Sequence, residues 1–183
     1  MNQTIRIIGG QFRGKKLSFP DIDGLRPTPD RVRETLFNWL MNTIHDARCL
    51  DAFAGSGALG FEAFSRGASK VVLVEYAHKA YANLHKTAAS FNSPKLSVIN
   101  KDACVYLQKT KEQFDLIFLD PPFSESHLLD CINTLTDSSV LIPGGLLYIE
   151  SAIEMELNPN AWEQVKLKKA GQVFYGLYKK IIT

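Results

Sequence analysis

The chain has 183 residues, enough for one domain with a sizeable core, and its 45% apolar and 22% charged residues are ordinary for a globular protein. No run of about 18 apolar residues occurs, which excludes a helical membrane span, and "MNQTIRIIGG" lacks the charged start and long apolar stretch of a secretory signal. Net charge is +2 but uneven: residues 1–33 carry seven basic and three acidic side chains, a net +4, and the remainder carries 14 and 16, a net −2. A basic arm on a faintly acidic body suits a polyanionic partner.

In chain order, "RIIGGQFRGKKLSF" sets a Gly-Gly pair between two β-like runs and predicts a small hairpin. "LRPTPDRVRETLFNWLMNTI" then opens a helix. Thr28 suits its cap and Pro29 its first position, and Val32, Leu36, Trp39, Leu40 and Thr43 recur at helical spacing as a core stripe. Arg31 and Arg33 fall off that stripe. Residues 1–27 are expected to form a basic hairpin arm, and 28–183 one compact domain beginning with the helix.

From residue 48 short apolar runs alternate with helical stretches. "RCLDAF" (48–53), "KVVLVE" (70–75), "LSVINKD" (96–102), "FDLIFLD" (114–120) and "GGLLYIES" (144–151) read as strands. Helices over "GALGFEAFSRG", "AHKAYANLHKTAASF", "ACVYLQK" and "SHLLDCINTL" separate them. That rhythm predicts an α/β fold with right-handed crossovers and a mostly parallel sheet covered on both faces. "EQVKLKKAGQVFYGLYKKI" then offers two strand-like runs about a turn at Ala170–Gln172, with no room for a crossover helix. A terminal hairpin is forced, so one late strand of seven runs antiparallel. Trp162, Phe174, Tyr175 and Tyr178 read as strand core, and Lys166, Lys168 and Lys169 as a solvated edge.

Cys49, Cys104 and Cys131 are odd in number and lack CxxC spacing, which fits small core residues in a reducing cytosol. His78 and His85 are seven apart on one predicted helix, about 10 Å along its axis and too far to share an ion. They read as a solvated face, His127 as a helix-start residue, and no metal is expected.

"LDAFAGSGALG" places Gly55, Gly57 and Gly60 as G-x-G-x-x-G between a strand and a helix, with Glu75 twenty positions beyond Gly55 at the end of the next strand. This spacing fits a dinucleotide, the acid holding ribose hydroxyls. Asp51, at the mouth of the first strand, disfavours a diphosphate and suits a cation or an ammonium group. S-adenosylmethionine carries a sulfonium, an ammonium and a ribose, and no phosphate. Asp102, followed by Ala103, ends the third strand, where it can accept from an adenine amine or cap a helix.

"LDPPF" closes the fourth strand. Pro121 and Pro122 stop a ladder for steric reasons, but Asp120 and Phe123 need another account. The lone pair of an exocyclic base amine is delocalised into the ring. Two acceptors on its hydrogens, the Asp120 carboxylate and the Pro121 carbonyl, would favour a tetrahedral nitrogen and aim the lone pair at a methyl group. Phe123 offers a face on which a base can stack, once that base is unstacked or flipped.

In this order "DAFAGSGALG", "LVE" and "LDPPF" resemble the S-adenosylmethionine-dependent amino-methyltransferases, whose fourth motif is [DNS]-PP-[YFW]. With "RIIGGQFRGKKL" and "LRPTPDRVRETLFNWL", the chain resembles the RsmD family, which methylates the N2 amine of a guanine in small-subunit (16S) ribosomal RNA. The match spans most of the chain and is weakest after about residue 152. The N-terminal pair is specific to the family, whereas DPPF occurs in DNA and RNA enzymes alike. The resemblance implies a Rossmann-like methyltransferase fold and a cofactor site at Asp51, Ala52, Phe53, Gly55, Ser56, Gly57, Glu75, Tyr76, Asp102, Ala103 and Asp120. It implies a catalytic loop at Asp120, Pro121, Pro122 and Phe123. The arm residues Arg6, Arg13, Lys15, Lys16, Arg26, Arg31 and Arg33 would hold RNA phosphates.

Other readings share parts of this pattern. A DNA adenine or cytosine amine, or a protein glutamine, would use the same chemistry, but no separate target-recognition domain is visible. A nicotinamide oxidoreductase fits the glycine loop and not Asp51, DPPF or the terminal hairpin. A non-catalytic RNA-binding factor would not need an intact DPPF. The expected partner is small-subunit rRNA within an assembling or assembled subunit, the expected setting cytoplasmic, and nothing demands more than a monomer.

Overall fold

A computed structural model describes residues 2–122 and 125–181. The first two strands, β1 (Gln3–Arg6) and β2 (Lys16–Phe19), pair antiparallel with Gln3 opposite Phe19 and Arg6 opposite Lys16. Helix α1 (Asp30–Trp39) follows. Then strands and helices alternate: β3 (Arg48–Asp51), α2 (Ala58–Ser65), β4 (Lys70–Glu75), α3 (His78–Ser90), β5 (Leu96–Asn100), α4 (Ala103–Lys109), β6 (Phe114–Leu119), α5 (Glu125–Asp137) and β7 (Leu141–Ser151). The hairpin β8 (Trp162–Ala170) and β9 (Val173–Lys180) ends the chain. No described helix is long and apolar enough to cross a membrane.

The seven strands lie in the order β5-β4-β3-β6-β7-β9-β8. All the pairs from β5 to β7 are parallel, and β9 runs against both its neighbours. This is the expected mostly parallel sheet with one antiparallel strand. From β3 the chain winds outward through β4 to β5, then returns to place β6 on the other side of β3. That reversal leaves a crevice at the carboxyl ends of β3 and β6, where such sheets take ligands.

Alternation along each strand assigns its residues to two faces. Cys49, Leu116, Phe118 and Tyr148 face the layer of α1, α2, α3 and the N-terminal hairpin. Leu50, Ile117, Leu119, Leu147 and Ile149 face α4 and α5. The same parity puts Asp51, Asp120 and Glu150 on the first face, under the N-terminal segment. Leu119 is in register with Ile149, so Asp120 and Glu150 leave adjacent strands side by side.

Four local expectations are corrected. The Gly9–Gly10 pair does not make the hairpin turn, because nine residues connect Arg6 to Lys16. The pair docks on α2 instead. Ile8 and Gly9 N–H donate to the Glu62 carboxylate at 3.0 and 2.9 Å, and Ser65 Oγ donates to the Gly9 carbonyl at 2.7 Å. Gly10 has φ +76°, and a Cβ there would fall 2.0 Å from the Ser65 carbonyl oxygen.

Thr28 does not cap α1; Pro29 stands at that position without a side-chain bond. The core stripe holds at Val32, Leu36 and Leu40, and Trp39 stacks on Tyr175 at 5.5 Å. Thr43 is exposed beyond the helix end, and Phe37 is buried in its stead. Arg33, expected on the surface, is 1% exposed, so it is not available to RNA phosphates. The C-terminal expectations hold better. Trp162, Tyr175 and Tyr178 are buried, Phe174 is half-buried, and Lys166, Lys168 and Lys169 are exposed on the sheet edge.

Candidate active site

The loop after β3 builds the first wall. Gly57 has φ +82°, and a Cβ there would meet the Phe61 ring at 2.3 Å, so only glycine fits this turn into α2. Asp51, 2% exposed, accepts from Gly60 N–H at 2.9 Å, tying the strand end to the helix start. Burial raises its pKa to about 7, with Glu75 and Glu150 adding to the rise and the Gly60 bond opposing it. Glu75 accepts from Gly55 N–H and Ala77 N–H, both at 2.8 Å, and so braces the glycine loop against the end of β4. Ala52, Ser56 and Ala103 are buried, Phe53 and Gly55 half-buried, and Tyr76 is 76% exposed at the rim. Asp102 caps α4 by accepting from Val105 N–H at 3.0 Å.

The second wall is acidic. Asp120 and Glu150 lie on neighbouring strands, close enough that one Thr28 hydroxyl reaches both carboxyls. The Thr28 hydroxyl lies 2.9 Å from Glu150 Oε1 and 3.4 Å from Asp120 Oδ2. The Tyr148 hydroxyl donates to Glu150 Oε1 at 2.7 Å. Burial, then the charges of Glu150 and Asp51, hold the Asp120 carboxyl well above its usual pKa. Burial also raises Glu150, and hydrogen bonds from Tyr148, Thr28 and Asp120 oppose that rise. Three carboxyls thus gather at the crevice, and among the described residues their hydrogen-bond partners are hydroxyls and an N–H. Such a donor set fits a cationic ligand and disfavours a phosphate.

A family model described as conserved hypothetical protein 95 matches residues 5–179. The ribosomal RNA small subunit methyltransferase D of Escherichia coli strain K12 is 47% identical over 178 residues, covering 96% of this chain and 90% of that protein. The Haemophilus influenzae protein of the same name is 43% identical, covering 96% and 93%. A solved Escherichia coli structure, described as a candidate methyltransferase, has a TM-score of 0.91 at 45% identity, covering 99% and 100% of the two chains. The chain belongs to the small-subunit rRNA methyltransferase D family. The resemblance seen in the sequence therefore holds along nearly its whole length.

Against this family background, the structure brings Asp51, Glu75, Asp102 and Asp120 to one edge of the sheet. Pro121 is half-buried and Pro122 exposed, and Phe123 lies outside the described residues. Of the arm cations, Arg6, Arg13, Lys16, Arg26 and Arg31 are exposed, while Lys15 sits 3.9 Å over the Phe91 ring. Arg33 is used internally: its Nε donates to the Thr28 carbonyl at 3.1 Å, and its Nη1 to the Arg6 carbonyl at 3.0 Å and to Glu62 at 3.4 Å. It also pairs with Asp30.

Asp102, Cys104 and His127 bring three metal-ligand atom types within 4.8 Å of one another, a set the sequence did not suggest. They are bonded among themselves. His127 Nε2 is 3.2 Å from Asp102 Oδ2, and the Cys104 thiol donates to the His127 carbonyl and abuts Cys131 Sγ at 2.6 Å. The cluster reads as a tie between α4 and α5.

Thr28, Tyr148 and Glu150 were missed from the sequence. A signal for Glu150 existed: like Asp51 and Asp120, it is an acid closing an apolar strand, in "LLYIES". No local signal marked Thr28, whose partners lie 92 and 122 residues away.

Proposed function

We propose that this protein transfers a methyl group from S-adenosylmethionine to the exocyclic N2 amine of a guanine in 16S rRNA. The observation that carries the reading is the half-buried Asp120, set beside the buried Asp51 at the switch point of a chain whose relatives bear the name rRNA methyltransferase. When bound, S-adenosylmethionine supplies an electrophilic methyl on a sulfonium. Asp51 would hold its ammonium group, Glu75 its ribose hydroxyls and Asp102 its adenine amine, with Ala52, Phe53, Gly55, Ser56, Gly57, Tyr76 and Ala103 lining the site.

Asp120 and the Pro121 carbonyl accept the two N–H bonds of the amine, and the proline pair keeps that carbonyl preorganised. Phe123 stacks the flipped base. Arg6, Arg13, Lys16, Arg26 and Arg31 hold phosphates, with Lys15 beside them. A cleft of about 360 Å³ on this basic arm is lined by Arg6, Lys16, Asp30 and Thr28, the last of which also touches Asp120 and Glu150. So small a basic surface suits RNA presented in an assembling or assembled small subunit, met in the cytoplasm by a monomer.

The deciding experiment transfers labelled methyl from S-adenosylmethionine to naked small-subunit rRNA, to unmodified small subunits and to duplex DNA. N2-methylguanosine in an rRNA sample is expected. Label confined to DNA, or to another nucleoside, would overturn the assignment.

A further inference from the structure

Glu150 is a buried acid with no part in the reaction above. It is 8% exposed, yet three groups from separate segments converge on it: Tyr148 on its own strand, Thr28 before α1, and Asp120 after β6. An acid so enclosed costs stability unless its bonds serve something. We propose that Glu150 is a positioning residue for Asp120 and, through Asp120, the final acceptor of the proton released by the methylated amine.

The proposal rests on the reaction proposed above. In that reaction the amine lone pair forms the N–C bond while the C–S bond breaks, leaving its electrons on sulfur. The nitrogen is then cationic and must lose one proton. A protonated Asp120 donates its O–H to Glu150 and keeps its other oxygen for the amine. As that oxygen takes the nitrogen's proton, the first proton passes to Glu150. Asp120 ends as it began, Glu150 ends neutral, and the proton later returns to solvent.

The surroundings divide the roles. The negative charges of Glu150 and Asp51 keep the proton on Asp120, while hydrogen bonds from Tyr148, Thr28 and Asp120 stabilise the Glu150 anion. Around Glu150, β3 contributes Asp51, β6 contributes Asp120, β7 contributes Tyr148, and β9 places Tyr175 directly opposite. The segment before α1 brings the Thr28 hydroxyl, and α1 brings Arg33, bonded to the Thr28 carbonyl, whose charge is already shared with Glu62 and Asp30.

The test compares wild type with Glu150→Gln, which keeps the shape and removes the acceptor. On the small-subunit RNA that wild type methylates, kcat is expected to fall about tenfold or more, with KM for S-adenosylmethionine within about twofold. The acid limb of the kcat–pH profile should also vanish. Unchanged kcat and an unchanged profile would overturn the proposal.

A second readout needs no RNA. The infrared C=O stretch of a protonated carboxyl, assigned by its loss in Asp120→Asn, should be present at pH 7 in wild type. In Glu150→Gln it should titrate away at lower pH, because one negative neighbour is gone. Its absence from wild type at neutral pH would defeat the relay whatever the kinetics. A wild type that shows the band but methylates no RNA would defeat the reaction and the acceptor role together, leaving only the shared proton.

Discussion

Two buried charged clusters lie under the same N-terminal segment and are built on opposite principles. Around Glu62, 0% exposed, the charges alternate: Arg33 and Arg66 face it, and Ile8 and Gly9 N–H fill its remaining lone pairs. Around Glu150 the titratable groups are all acids: Asp51 is buried with it and Asp120 is half-buried beside it, and among the described residues no cation pairs with them. The first cluster locks the arm onto α2. The second stores unfavourable energy at the crevice, as an active site does when a ligand or a reaction is to relieve it. Thr28 links them, with its carbonyl on Arg33 and its hydroxyl on Glu150.

The comparison breaks most sharply at Asp120. Asp120→Ala is expected to lower turnover by at least about a hundredfold while S-adenosylhomocysteine binds within about twofold of wild type. Turnover near the wild-type rate in the methyl-transfer assay would remove Asp120 from the chemistry.

Next in size is the paired cluster. Arg33→Met leaves the Glu62 carboxylate short of its buried partner and should cost about 3–5 kcal/mol in urea unfolding. A loss below about 1 kcal/mol would mean that Arg66 and the two N–H groups suffice.

A third prediction concerns Asp51. Its folded pKa of about 7 lies above the ordinary aspartate value of 3.8, so its contribution to stability is fully present below 3.8 and is lost as pH rises through about 7. An ammonium group set against Asp51 favours the ionised form. Affinity for S-adenosylhomocysteine should therefore rise about tenfold from pH 6 to pH 8 in calorimetric titration, and Asp51→Asn should flatten that slope. A slope that survives in the variant would assign it to another group.

The smallest effect lies outside both clusters. Arg48 donates to Asp115 at 3.0 and 3.1 Å and holds that carboxyl below its usual pKa. This contribution is present above the normal carboxylate range and is lost as pH falls through the depressed value, opposite in sign to Asp51. Both partners are over a third exposed or nearly so, and Arg48→Ala should cost under about 1 kcal/mol in the same unfolding assay. A larger loss would show that opposite-charge pairing matters even at the surface.

The sequence by itself determined the alternating strands and helices, the terminal hairpin, the glycine turn and the acids at the strand ends. Each is a local signal: a period of 2 or 3.6, a residue without a Cβ, or a polar group closing an apolar run. Only the tertiary structure decided that Arg33 points inward, that Gly9 and Gly10 dock on a helix, and that Thr28 serves Glu150 and not α1. Those outcomes depend on strand register and on where the arm lands, and the acids that decide two of them lie 29 residues from Arg33 and 122 from Thr28. Local spacing cannot register a partner at that distance, and a buried charge gains its meaning from the groups packed around it.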